Sequence, residues 1–81
     1  MDPVESKVKG IISKIIKIPV ERLANDADLV EKYGMDSLSR VEVLAELERE
    51  FDIMIDDSVA MEMRNVEKCF EVVKARIPSN K

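Results

Sequence analysis

A chain of 81 residues, 46% hydrophobic and 37% charged, is sized for one small folded domain with a radius of gyration of about 12 Å. That leaves no room for a deep enzyme cleft beside a stable core. With no histidine and a single cysteine, the chain lacks the usual general base, the usual zinc ligand and any internal disulfide.

The net charge of −4 is unevenly spread. Residues 25–57 hold three basic and eleven acidic side chains, net −8, whereas residues 1–24 and 58–81 each carry net +2. Acidity concentrated in the middle argues against nucleic-acid binding and for a basic protein partner facing that stretch. No apolar run approaches the length of a membrane span, so a soluble, cytoplasmic protein with no membrane partner is expected.

Asp2-Pro3 ahead of a periodic run reads as an N-cap followed by proline at the first helical position. Val4, Val8, Ile11, Ile12 and Ile15 fall on one stripe at helical spacing, and Pro19 stops this first helix near Lys17 or Ile18. From Pro19 to Met35 no period is sustained. Asn25, Asp26, Asp28 and Gly34 mark a long loop with room for a short helical turn, anchored by Leu23, Leu29, Val30 and Tyr33. A calcium-loop reading of Asp26 and Asp28 fails, because Glu31 stands where the sharp-turn glycine belongs.

Asp36 caps a second helix that runs to about Phe51. Val43, Leu44, Leu47 and Phe51 form one apolar stripe on it, and Leu38, Val41 and Ala45 a second, roughly 140° around the axis. Glu42, Glu48 and Arg49 border the second stripe. A small domain cannot easily bury both, so the second reads either as a docking surface or as packing beneath the long loop. In the connection 52–57, Ile53 and Ile55 point inward. Asp57 or Ser58 then caps a short third helix through Met63. Asn65 caps the last helix, in which Val66, Cys69, Phe70, Val73 and Ile77 recur at three and four, and Pro78 with the polar Ser79-Asn80-Lys81 tail ends it. Cys69 fits a small apolar core position better than a catalytic thiol, which would need a basic neighbour. These patterns predict a single all-α domain over residues 1–81, four helices with a long first loop and a short third helix.

The most informative local feature is Gly34-Met35-Asp36-Ser37-Leu38. A serine at the first position of a helix projects its hydroxyl from the helix N-terminus, where free backbone N–H groups and the positive dipole end suit a covalently attached phosphate diester. Gly34 gives the preceding turn its backbone freedom. By itself the motif is weak, and a plain helix cap is its default reading.

Its flanks add specificity. Leu29-Val30-Glu31-Lys32-Tyr33-Gly34-Met35-Asp36-Ser37-Leu38, then Val41-Glu42-Val43 and Leu47-Glu48-Arg49-Glu50-Phe51, resemble the acyl carrier protein family, with Ile53, Ile55, Asp57, Ala60 and Val66 at similar spacing. The resemblance implies a four-helix bundle of acyl-carrier type that catalyses nothing itself. It implies that Ser37 takes 4′-phosphopantetheine from coenzyme A through a phosphopantetheinyl transferase, and that Asp36 helps position the transferase's metal ion. It further implies that Leu38, Val41, Glu42 and Glu48 dock acyl synthases and acyltransferases with basic patches. The reactive thiol would then be the cofactor's and not Cys69. The chain is expected to act as a monomer in fatty-acid, polyketide or specialised lipid synthesis; the alternatives are a peptidyl carrier domain and an unmodified helical interaction domain. Several residues depart from the family pattern: Tyr33, Ser39, Arg49, Asp56, Arg40 at a usually small polar position, and Met61 where glutamate is common. Met61 is expected to face a partner and Met63 the interior.

Overall fold

The computed structural model describes residues 2–77, so the expected stop at Pro78 and the polar tail lie outside the described residues. Five α-helices follow one another: α1 Pro3–Ile16, α2 Leu29–Tyr33, α3 Ser37–Phe51, α4 Asp57–Ala60 and α5 Val66–Arg76. A 3₁₀ turn at Val20–Arg22 stands between α1 and α2. The four expected helices are α1, α3, α4 and α5; the long loop additionally folds its own end into α2. Among the described residues no helix is long and apolar enough to cross a membrane.

Local chemistry sets most of the helix ends. The Asp2 carboxylate accepts the Val4 N–H at 2.9 Å with Pro3 just behind it. At the far end Lys17 takes a left-handed conformation (φ 63°), within the expected stop at Lys17 or Ile18, and Ile18 N–H returns to Ser13 O. Asn65 caps α5 by accepting the Lys68 N–H at 2.7 Å. Such caps are each worth about 1 kcal/mol.

The core lies where α1, α3 and α5 meet. Val8 and Ile12, Val43 and Leu47, and Val66, Cys69 and Val73 are buried from the three helices in turn. Each fully buried branched aliphatic contributes roughly 1.5–3 kcal/mol relative to exposure. Leu23, Leu29 and Met35 bury the long loop against this centre, and Ile53 and Met63 do the same for the later connections. The radius of gyration is 11.7 Å.

The loop is ordered by bonds that the sequence does not announce. The Tyr33 hydroxyl donates to Arg22 O at 3.1 Å and accepts the Ala24 N–H at 2.7 Å. Leu29 N–H donates to Arg64 O, Glu67 N–H donates to Asn25 O, and Arg64 pairs with Asp28 at 2.7 Å. Val30, expected as an anchor, is instead exposed. In a helix that begins at Leu29, residues 29 and 33 share the inner face and residue 30 turns about 100° away from it.

The short helix also differs from expectation. Its N-cap is Asp56 rather than Asp57 or Ser58, and it stops at Ala60. Glu62 N–H then donates to Val59 O and Met63 N–H to Ala60 O, so the chain tightens into 3₁₀-type spacing and carries Met63 inward. Met63 is buried and Met61 exposed, as the sequence pattern predicts.

Candidate functional site

Between α2 and α3 the chain makes one sharp turn, and its geometry fixes Ser37. Gly34 sits in the left-handed region at φ 72°, where a Cβ is strained and glycine is not. Its N–H donates to Val30 O and the Met35 N–H to Leu29 O, closing α2. The Met35 side chain is buried and pins the turn to the core. Asp36 is extended (φ −100°, ψ −179°) and accepts the Ser39 N–H at 2.8 Å, opening α3. That N–H, and after it the Ser39 hydroxyl, hold the Asp36 carboxyl below the usual aspartate range.

Ser37 is therefore the first residue of a 15-residue helix and is exposed. The cap accepts from Ser39, which leaves the Ser37 and Leu38 N–H groups with no acceptor among the described residues. The first turn of α3 has no acidic side chain. A phosphate diester on the Ser37 oxygen would thus meet free donors and the positive end of a long helix, with the Asp36 carboxylate adjoining it in sequence. The surroundings fit a covalently held phosphopantetheine.

Around this point the two stripes of α3 separate. Val43 and Leu47 are buried, whereas Leu38 is 68% and Val41 61% exposed, and Ala45 is exposed too. Of the two readings open for the second stripe, packing beneath the loop is excluded. Glu42 is exposed beside it and makes no ion pair or hydrogen bond among the described residues. Met61 is exposed just beyond the end of α4. Arg49 pairs with Glu46 one turn back on the same helix.

Glu48 has a task that the pattern did not reveal. Its carboxylate accepts the Ile55 N–H at 2.8 Å while its main-chain oxygen accepts the Ile53 N–H, so it pins the connection after α3. Arg40 is the second such residue. It is half-buried among apolar side chains and donates to Ala60 O at 2.8 Å. A signal was available for Arg40, because it falls on the stripe of Val43, Leu44 and Leu47, where a cation needs a reason. Cys69 is buried and its thiol is pushed up to about 12 by that burial, so it stays protonated and unreactive at neutral pH.

Comparison with known proteins covers most of the chain, the turn before α3 included. A family model described as a phosphopantetheine attachment site matches residues 6–69. The acyl carrier protein of Buchnera aphidicola subsp. Schizaphis graminum (strain Sg) is 41% identical over 73 residues, which cover 90% of this chain and 92% of that protein. That of Buchnera aphidicola subsp. Acyrthosiphon pisum (strain Tuc7) is 36% identical over 76 residues, 94% and 95% of the two chains. The acyl carrier protein of Karelsulcia muelleri (strain GWSS) is 30% identical over 81 residues, 100% of this chain and 98% of the relative.

Proposed function

This chain belongs to the acyl carrier protein family, and on that premise we propose that Ser37 is the residue that takes its 4′-phosphopantetheine arm. One observation carries the assignment: Ser37 is the exposed first residue of α3, with two backbone N–H groups left over by the Asp36 cap. The Ser37 hydroxyl supplies the ester oxygen, and the N-terminal end of α3 stabilises the negative diester. When attached, the arm supplies the terminal thiol that holds an acyl group for its enzymes. Asp36, ionised at neutral pH and adjacent to the serine, serves the transferase's metal ion during attachment.

Partners of such a carrier are a phosphopantetheinyl transferase and acyl synthases. The exposed Leu38, Val41 and Met61 form the apolar contact, and Glu42 supplies a free charge beside it. Glu48 borders the same face while also holding the connection after α3. This division matches interface anatomy, an apolar centre within a charged rim. The domain is a single unit that works as a monomer in the cytoplasm, where its buried free thiol stays reduced. It supplies position and not catalysis, since its one thiol is inert and it has no histidine.

The test is intact mass after incubation with coenzyme A and a transferase. The wild-type protein gains one arm, and Ser37→Ala gains none. A Ser37→Ala protein that is still modified would overturn the assignment, with Ser39 and Ser58 the next residues to examine.

A further inference from the structure

Between α3, α4 and α5 lies a small cavity walled by Leu29, Met35, Val43, Leu44 and Met63, and by one charged side chain, Arg40. We propose that Arg40 is a latch that sets which cargo the domain shelters: by holding the end of α4 to α3 it keeps saturated acyl chains out of this cavity. The inference rests on Ser37 as the attachment point.

Three observations carry it. Ser37, Arg40 and Leu44 stand at i, i+3 and i+7 on α3 and share one face of the helix. A chain that turns back from Ser37 along that face meets Arg40 before it meets the cavity wall. Next, the free space for a water-sized body inside is only about 10 Å³, which barely reaches what one water requires. No alkyl chain enters unless a wall moves.

The wall that can move is α4. It has four residues, of which Ala60 alone is buried, and segments with so few buried contacts open at the least cost. Among the described residues, the bond from the Arg40 guanidinium to Ala60 O, at 2.8 Å, is the hydrogen bond that joins α3 to α4. Arg40 has no carboxylate partner among those residues. A saturated chain sliding past it would desolvate the charge, break this bond and offer no acceptor in return. The chain is thus refused both by the closed wall and by the unpaired cation at its edge.

Two measurements decide the proposal. In the unmodified protein, amide hydrogen exchange at Ala60 and Met61 should be at least ten-fold faster in Arg40→Thr than in wild type, with α1 and α5 amides unchanged. Arg40→Lys, which keeps a charged donor, should stay within two-fold of wild type. Equal exchange in Arg40→Thr and wild type overturns the latch. In proteins loaded with acetyl or octanoyl groups, hydroxylamine should cleave both at rates within two-fold in wild type. In Arg40→Thr the octanoyl group should be cleaved at least five-fold more slowly than the acetyl group, because it is now sheltered. A wild-type protein that already shelters octanoyl overturns the proposal. Should the threonine variant unfold, Arg40→Met, which preserves the aliphatic stem's packing, repeats both arms with the same outcomes. Failure of Ser37 to accept the arm shows separately, in the intact mass, and overturns the attachment reading and the cargo arm with it, whereas the exchange measurement needs no modification and decides the latch by itself.

Discussion

Leu47 and Leu38 are the same residue type on the same helix, yet one is wholly buried and the other is 68% exposed. The inner face of α3 packs against α1 and shares one core with α5. The outer face, with Leu38 and Val41 largely exposed, is bordered by Glu42, which has no ion pair among the described residues. A helix of 15 residues with one face spent on the core can leave a second apolar face free, provided that face is kept small. The lesson is that hydrophobicity on α3 is divided between a buried and an exposed face, and under the docking role proposed for the exposed one, stability and binding measurements should divide along them.

The sharpest test of this division is at its extremes. Leu47→Ala should cost about 2–5 kcal/mol, the range for truncating a buried leucine, as a fall in the urea midpoint with little change in slope. Leu38→Ala should change stability by no more than about 0.5 kcal/mol. Similar costs at both sites would erase the distinction between the faces.

A smaller effect separates the helix ends from the core. Asn65→Ala removes the side chain that accepts the Lys68 N–H and should cost about 1 kcal/mol. The aspartate caps add a dependence on pH. Asp28 is held below the usual aspartate value of 3.8 by the Glu31 N–H first and then by Arg64, and Asp2 by Lys74 first and then by the Val4 N–H. A carboxyl whose folded value is depressed binds its proton more readily in the unfolded chain. The stabilisation from these caps is therefore full above the unfolded value and is lost as pH falls through the folded one. Carbon-detected titration should place the midpoints of Asp2, Asp28 and Asp36 below 3.8, and Asp28→Asn should flatten the acid limb of the stability curve. Midpoints at or above 3.8 would contradict the capping geometry.

Periodicity and capping chemistry made the long elements legible. The Asp2-Pro3 start, the Asp36 cap and the stripe of Val43 and Leu47 are local patterns, and α1, α3 and α5 follow them. The short elements were less legible because tertiary bonds decide them. A five-residue helix cannot stand on propensity, so α2 exists because Asp28 is tied to Arg64 and Leu29 to the core. That tie also turns Val30 outward, which composition alone could not show. The N-cap of α4, Asp56, makes no side-chain capping bond, so its local chemistry does not single it out from Asp57 and Ser58. At the candidate site, the place of Ser37 at the start of α3 could be read from the Asp36 cap, whereas the tasks of Arg40 and Glu48 needed the positions of Ala60 and Ile55, 20 and 7 residues away.

The finest division lies within the acidic rim itself, between Glu42 and Glu48. Both are acidic residues of α3 beside the outer apolar stripe, and by charge count alone they are interchangeable. Glu42 is exposed and unpaired among the described residues, whereas the half-buried Glu48 accepts the Ile55 N–H at 2.8 Å. Replacing Glu48 by lysine removes that acceptor and should cost about 1 kcal/mol of stability, the net worth of one such bond. Glu42→Lys removes no bond and should leave the unfolding midpoint within about 0.5 kcal/mol of wild type. Its effect belongs to encounter with a basic partner, because an exposed rim charge acts mainly on association rate and on its salt dependence. Stopped-flow binding to a phosphopantetheinyl transferase should show slower association for Glu42→Lys at low salt, a gap that narrows as screening shortens to about 8 Å near physiological ionic strength, and dissociation close to wild type. An effect of Glu42→Lys confined to dissociation, or one that salt leaves unchanged, would mean that Glu42 makes a desolvated contact, and the charged rim would then have to be redrawn as part of the apolar centre.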